Sequence, residues 1–222
     1  MSEPNITTRN EFNQRYWTYF RILEDDFLQT ERYLAIDALN ATAYSNEYIK
    51  QYQAICSEID VIAKSFCKAT ERSFKGGSIN AYCKCIVDNY ADFSSRIVKV
   101  KNRSLILTPW DGWTYSTKQK DGKTIIDATN PEWWQTYNKV KHSRTTVNTP
   151  SGLSYYKLAN QKNVLTALAA LFQLELYYFR KLQQIYFPTE ADMPSSPSKL
   201  FEIESWGNTW VVLEGDLQLQ LD

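Results

Sequence analysis

Apolar side chains recur every three or four residues through much of the chain, and this spacing is typical of amphipathic helices. A capping box at Thr8 and Glu11 marks the start of the first helix. Asn130-Pro131-Glu132 marks the start of a short fourth one, because Asn caps a helix and Pro presets its first position. The pattern predicts about five helices, at about 10–39, 46–73, 79–101, 131–143 and 155–186. The last has the longest apolar stripe and is expected to form the centre of the core.

Two segments carry a β-type pattern instead. Asp121-Gly122 separates two β-prone runs, which predicts a hairpin inserted at about 104–128. After Pro188, a linker rich in Pro and Ser leads to two further β-prone runs, which predict a second small hairpin. The expected fold class is mostly α, a bundle of about five helices with small β-hairpin insertions. The bundle domain would cover 1–187, and the linker and C-terminal hairpin would form an appendage over 188–222.

Charge and targeting signals narrow the function classes. The 222 residues include 25 basic and 25 acidic side chains, so the formal net charge is zero and a general attraction to nucleic acid or anionic membranes is not expected. A local basic patch is still compatible with this balance. The N-terminus shows no signal-peptide pattern, and the most apolar stretch, 164–179, is too short and too often interrupted to span a bilayer. These features predict a cytoplasmic protein without a membrane partner.

The cysteines and the single histidine argue against disulfide and metal chemistry. Cys56, Cys67, Cys83 and Cys85 fall within predicted helices, where buried free thiols are the expected state. The chain has one histidine, His142, and side chains two positions apart point about 200° apart on a helix, so no metal site is expected. The glycines sit at predicted turns and form no phosphate-binding or dinucleotide-binding motif, so no cofactor is expected.

The predicted fourth helix carries the strongest candidate chemistry. Asn138 and His142 lie one turn apart on the same face, with Lys141 beside them and Arg144 just beyond. Imidazole exchanges a proton near neutral pH, Lys and Arg stabilise a phosphate, and Asn orients a hydroxyl. These groups suit RNA cleavage by attack of the ribose 2′-hydroxyl, so the candidate catalytic residues are His142, Asn138, Lys141 and Arg144. The alternative is that the aromatic residues of this helix dock it, while Asn138 and His142 bond to backbone and the cations are solvated.

Two other charged clusters are assigned structural roles. The acids Glu24, Asp25, Asp26 and Glu31 of the first predicted helix are expected on a solvated face rather than around a cation, since adjacent acids point in different directions. The basic run at 96–103 would close the third helix, where cations complement the helix dipole. The other interpretation of this run is a phosphate-binding edge beside His142.

The order of parts over about 10–186 resembles the HEPN superfamily of prokaryotic helical domains: long helices, a short polar helix with Asn and His, then a long apolar helix. The RNase motif of that family is an Arg, four to six residues, then a His, often with a polar residue after the Arg. By this resemblance, Asn138 would be the polar residue and His142 the His. The chain departs from the motif, because the positions for the Arg hold Gln135, Thr136 and Tyr137 and Arg144 follows the His.

The resemblance implies an intracellular homodimer that engages RNA or a defence-system partner, with metal-independent ribonuclease activity as one form of that engagement. Family members that lack the motif act as binding or assembly modules, often in defence against phages. The alternative function is therefore a non-catalytic module for protein-protein interaction or assembly. A polar face buried and satisfied within the monomer would favour this alternative, whereas one that opens to a cleft would favour RNA.

Overall fold

The structure is a computed structural model that describes residues 6–148, 152–188, 193–204 and 206. It is mostly helical with small β insertions, as predicted. The helices are α1 (Arg9–Phe12), α2 (Thr18–Gln29), α3 (Asn46–Thr70), α4 (Ile79–Asn89), α5 (Glu132–Ser143) and α6 (Gln161–Tyr186). The strands are β1 (Val98–Val100), β2 (Leu105–Leu107), β3 (Thr114–Lys120), β4 (Lys123–Thr129), β5 (Val147–Asn148), β6 (Leu153–Ser154) and β7 (Phe201–Ile203).

The first predicted helix begins as expected but ends early. The capping box is present, with the Thr8 side chain accepting from the Glu11 amide and Glu11 accepting from the Thr8 amide. A π-helical turn, Asn13–Trp17, joins α1 to α2. The predicted end near 39 is wrong, because α2 stops at Gln29 and the apolar stripe beyond it does not stay buried: Tyr33 is 90% exposed.

The two long helices α3 and α6 pack against each other and form the centre of the core. Each begins at a side-chain cap, Ser45 accepting from the Tyr48 amide at 3.0 Å and Asn160 from the Asn163 amide at 3.0 Å. The predicted start of α6 at 155 is wrong, since residues 155–158 form a 3-10 turn before the Asn160 cap. The prediction that this helix is the core centre is confirmed by its burial, with Phe172 only 1% exposed.

The third predicted helix, 79–101, is too long by about half its length. α4 ends at Asn89, whose side-chain amide donates to the Cys85 carbonyl at 2.8 Å. Val100, predicted with Ile97 to continue the apolar stripe of the helix, instead lies with Val98 in β1, the central strand of a sheet in the order β2-β1-β7. Both are buried while Lys99 between them is half-buried, so an alternating pattern had been mistaken for a helical one.

The predicted hairpin is confirmed as β3 and β4, which pair antiparallel around Asp121 and Gly122. Both turn residues have positive φ, 52° and 70°, which explains the Asp-Gly pair. The segment before the hairpin is part of the core, because Trp110 and Trp113 are fully buried. The predicted C-terminal appendage also contributes to the core: β7 pairs with β1, while the second half of that predicted hairpin lies outside the described residues.

Glu24 is fully buried, so the predicted solvated face is wrong at this position. Its carboxylate accepts from the Ser198 hydroxyl and from the amides of Lys199 and Leu200, at 3.1 and 2.9 Å, and pairs with Arg21 at 2.9 Å. Asp25 remains at the surface, where it pairs with Lys199. Glu24 therefore anchors the segment that leads into β7.

The basic run has internal partners rather than a free phosphate-binding edge. Arg96 pairs with Asp92, and Lys99 pairs with Glu204 at 3.1 Å. Lys101 donates to the Ser198 carbonyl at 2.7 Å, and Arg103 binds Glu31 through both carboxylate oxygens. Since α4 has ended before this run, the predicted helix-dipole role does not apply to it.

The four cysteines are buried free thiols, as expected. In the described ranges, no three His, Cys, Asp or Glu side chains lie close enough together to hold a metal ion. None of the helices in those ranges has the length and apolar character required to traverse a bilayer.

Candidate nucleic-acid interface

The helix α5 begins one residue later than the sequence pattern suggests, and Asn130 does not cap it. The Asn130 side chain instead accepts from Trp113 Nε1 at 3.2 Å and donates to Asn80 Oδ1 at 3.2 Å. The first helical hydrogen bonds run to the Pro131 carbonyl, from the Trp134 amide at 3.0 Å and the Gln135 amide at 3.1 Å. Asn130 therefore ties the β3-β4 hairpin and α4 to the start of α5.

One face of α5 is buried against the core. Trp133, Trp134, Tyr137 and Val140 are each at most 8% exposed. Trp133 Nε1 donates to the Pro109 carbonyl at 2.6 Å, and the Tyr52 hydroxyl donates to the Trp133 carbonyl. These aromatic residues therefore dock the helix, as the alternative interpretation of this stretch predicted, and they fix which face of α5 points outward.

The four predicted site residues lie together at the outer, C-terminal end of α5. His142, Lys141 and Arg144 are exposed, and Asn138 is half-buried. Within the described part of the chain, the side chains of Asn138 and His142 make no hydrogen bond, so the predicted bonding of these two groups to backbone is not found. The polar face opens directly to solvent rather than being satisfied inside the monomer.

Three lysines on and beside this face each lie over a tyrosine ring. Lys139 Nζ lies 5.9 Å from the ring centroid of Tyr155, and Lys141 Nζ lies 5.6 Å from that of Tyr137. Lys157 Nζ lies over two rings, 5.6 Å from the Tyr44 centroid and 6.0 Å from the Tyr156 centroid. We call this the cation-tyrosine surface, formed by Tyr44, Lys139, Lys141, His142, Arg144, Tyr155, Tyr156 and Lys157.

Backbone hydrogen bonds hold the tyrosines beside α5. The Tyr156 amide donates to the Arg144 carbonyl and the Tyr155 amide to the Thr146 carbonyl, each at 3.0 Å. Tyr44 reaches the same place from the loop before α3, because it forms an isolated antiparallel bridge with Asn160. Three separate segments therefore meet at this surface.

One stretch of the chain supplies most of this surface and is rich in cations, although the chain as a whole is neutral. No Asp or Glu occurs between residues 133 and 174, a stretch that carries five cations: Lys139, Lys141, Arg144, Lys157 and Lys162. Lys162 is offset by Glu132, 3.8 Å away. The other four cations lie in the cation-tyrosine surface. This acid-free stretch is a signal that the sequence alone could have supplied.

The tyrosine ring beneath Lys141 is neutral at physiological pH. Burial raises the pKa of Tyr137 to about 12, so its phenol stays protonated and presents a neutral π face to Lys141. The same desolvation raises the pKa of the Cys56 thiol, which faces α5 from α3. Neither group therefore supplies an anionic nucleophile at neutral pH.

In comparisons with known proteins, no family model matches this chain, and neither a curated protein nor a solved structure matches it. What supports a function is therefore the chemistry of the cation-tyrosine surface.

Proposed function

We propose that this protein binds single-stranded RNA through the cation-tyrosine surface. Proteins that bind single strands combine cations, which follow the phosphates, with aromatic rings on which successive bases stack. The observation that carries the proposal is the position of Lys157 over both Tyr44 and Tyr156, next to Lys139 over Tyr155. Rings and cations are therefore close neighbours on one surface, the combination that a strand of bases and phosphates requires.

Unpaired RNA fits this surface better than duplex RNA. Bases in an A-form helix are stacked on one another and their faces are hidden, whereas an unpaired strand can offer them to aromatic side chains. Tyr44 is 47% exposed and Tyr155 and Tyr156 are half-buried, so each retains ring area for such stacking. The side chains of Asn138 and His142 make no hydrogen bond to the described residues, and they would supply hydrogen bonds to ribose hydroxyls.

The proposed activity is RNA binding. Whether His142 also supports RNA cleavage is a separate question. Hydrolysis of RNA needs a base for the 2′-hydroxyl, cations for the phosphorane and an acid for the leaving oxygen. His142, Lys141 and Arg144 could supply part of this set, and the chain has no second imidazole to complete it. The HEPN-like resemblance agrees with an RNA ligand, and pairing into a homodimer remains part of that proposal.

A second candidate is a protein-protein interaction or assembly module. The observation that favours it is the pair of strongly exposed apolar side chains after α2, Tyr33 at 90% and Leu39 at 93%. Exposed aromatic and aliphatic groups of this kind are enriched at partner surfaces. They lie in the loop that also contributes Tyr44, so a partner there would compete with RNA for the same end of the molecule.

Fluorescence anisotropy tests the RNA proposal. The probe is a labelled RNA of about 12 nucleotides, within the site sizes of single-strand binders, measured alone and annealed to its complement. The double variant Lys139→Glu/Lys157→Glu is expected to weaken single-strand binding at least tenfold at low salt, because two phosphate contacts become repulsive. The matched control is Lys64→Glu, since Lys64 is an exposed lysine of α3 about 27 Å along the helix from its first residue.

Lys64→Glu is expected to bind within twofold of the wild type. Equal losses in the control and the double variant, or duplex RNA bound as tightly as the single strand, would contradict the proposal. If the wild type shows no RNA binding but captures a second copy of itself or another protein through the loop at 33–44, the interaction-module alternative is supported.

A further inference from the structure

A cavity of about 400 Å³ opens between the end of α2 and the start of α3. This volume is within the range of roughly 300–1,000 Å³ typical of small-ligand pockets. Its walls include the rings of Tyr33, Tyr44 and Tyr48. Tyr44 belongs to the cavity and to the cation-tyrosine surface, so the two are continuous.

The polar side of the cavity holds two carboxylates and one ammonium. Glu47 Oε1 accepts from Lys50 Nζ at 2.7 Å and from Gln51 Nε2 at 3.0 Å. Gln51 is buried and its amide also donates to the Asp26 carbonyl oxygen at 3.0 Å, so it fixes the position of Glu47. Glu47 Oε2 and the Asp26 carboxylate accept no hydrogen bond from the described residues, which leaves both available to a ligand.

Both members of the Glu47-Lys50 pair remain charged at neutral pH. The hydrogen bond from Lys50 keeps the pKa of the Glu47 carboxyl below its ordinary value, and the same bond raises the pKa of the Lys50 ammonium. The cavity therefore offers strong acceptors beside a strong donor, in a lining that includes three tyrosines.

We infer that this cavity takes an unpaired guanine base, an inference that rests on the proposed RNA binding for its biological context. Guanine is the base whose pairing edge places two donor groups, N1–H and N2–H₂, next to the acceptor O6. Glu47 and Asp26 would accept from the donors and Lys50 would donate to O6. Adenine, cytosine and uracil each reverse at least one of these donor and acceptor positions, so each would leave a charged group unpaired.

The tyrosines complete the site. Tyr33 and Tyr44 line the cavity and are 90% and 47% exposed, so both keep ring area on which a purine would stack. Because Tyr44 also contacts Lys157, a base in the cavity would have its own phosphate within reach of the cation-tyrosine surface.

Ligand-detected NMR with the four nucleosides tests the inference without using the cation-tyrosine surface, because nucleosides carry no phosphate. Wild-type protein is expected to bind guanosine at least about fivefold more tightly than adenosine, cytidine or uridine, the lower end of what one well-placed bidentate contact supplies. Glu47→Gln and Asp26→Asn are each expected to remove most of this preference. Asp25→Asn is the matched control, since Asp25 pairs with Lys199 outside the cavity and should leave the preference unchanged.

The nucleoside result separates this inference from the proposed function. Equal affinities for the four nucleosides, or a guanosine preference unchanged in both Glu47→Gln and Asp26→Asn, would overturn the guanine site even if RNA binds. Guanosine binding that depends on Glu47, in a protein that shows no RNA binding, would support the guanine site and contradict the cation-tyrosine surface as an RNA interface. Melting curves on each variant confirm that the fold is retained.

Discussion

The rings of Tyr44 and Tyr156 meet edge to face, with their centroids 5.7 Å apart. This contact joins the loop before α3 to the turn before α6, and the backbone bridge between Tyr44 and Asn160 holds the two segments in place. It brings a ring from one end of the helical core beside the cations of α5. The same contact connects the cation-tyrosine surface to the cavity at Glu47, so one structural feature underlies both proposals.

Replacing Phe172 with Ala should cost about 3–5 kcal/mol of unfolding free energy, because the ring is buried at the centre of α6. It contacts three other aromatic rings, those of Trp17, Phe20 and Phe201. Chemical denaturation with matched m-values measures the loss. Ile185→Ala, on the same helix but 44% exposed, should change stability by less than about 0.5 kcal/mol. A loss below about 1 kcal/mol for Phe172→Ala would show that α6 is not the core centre.

Two adjacent acids should respond very differently to truncation. Glu24→Ala removes the acceptor for Ser198 and Leu200 and leaves Arg21 without its buried partner, so a loss of about 3–5 kcal/mol is expected. Asp25→Ala removes only an exposed ion pair with Lys199 and should cost about 0–1 kcal/mol. Urea unfolding of both variants tests the difference. Equal effects would mean that Glu24 does not anchor the chain leading into β7.

Glu175 should make the protein less stable as the pH rises. It is fully buried in α6 and both carboxylate oxygens lack a partner in the described structure. Burial raises the pKa of Glu175 well above its ordinary value of 4.5, and the charge of the neighbouring Glu58 adds to this effect. Burial also raises the pKa of Glu58, to about 7. Above pH 4.5 the unfolded carboxyls lose protons that the folded ones keep, so stability falls with pH.

Melting temperatures at pH 5 and pH 8 measure this effect. Wild-type protein should melt at least about 2 °C lower at pH 8, and Glu175→Gln should remove much of the difference, because the amide does not ionise. The exposed residue Glu202 supplies the control, and Glu202→Gln should keep the wild-type pH dependence. Stability that rises between pH 5 and pH 8 in the wild type, but not in Glu175→Gln, would reverse the sign assigned here.

His142→Ala should leave the melting temperature within about 2 °C of the wild type, since the side chain is exposed and has no hydrogen-bond partner in the described residues. Incubation of both proteins with labelled RNA tests catalysis in the same experiment. If the wild type cleaves RNA, the variant should be slower by at least the roughly 100-fold typical of losing a general acid or base. A strongly destabilised variant would instead identify His142 as a structural residue.

Local patterns predicted the elements whose geometry is set by neighbours in the sequence. The apolar spacing of α3 and α6 and the Asp121-Gly122 turn of the hairpin are of this kind. The strand β1 could not be predicted from local pattern, because Ile97 and Val100 continue the apolar spacing of the preceding helix and the pairing of β1 with β7 depends on residues far away in the chain. Asn130 stands where a helix cap is expected, but its side-chain oxygen accepts a hydrogen bond from Trp113 instead.

The candidate site likewise combines residues that local spacing predicts with residues that distant contacts bring in. Asn138, Lys141, His142 and Arg144 could be placed together from helical spacing alone, and they do share one end of α5. The tyrosines of the surface could not be predicted in this way, because Tyr44 reaches the end of α5 only through its bridge to Asn160. Likewise, nothing local distinguishes the buried Glu24 from its exposed neighbour Asp25. Burial of a charged group is decided by what packs over it, here the residues at 198–200.

The salt dependence of single-stranded RNA binding tests the central proposal most directly. Each phosphate contact contributes about 0.7 to the slope of log K against log salt concentration for single strands, so the four cations of the cation-tyrosine surface predict a slope of about −3. The variant Lys139→Gln/Lys157→Gln should reduce the magnitude of this slope by about 1.4. A slope that the double variant leaves unchanged, or binding that does not respond to salt, would contradict the account.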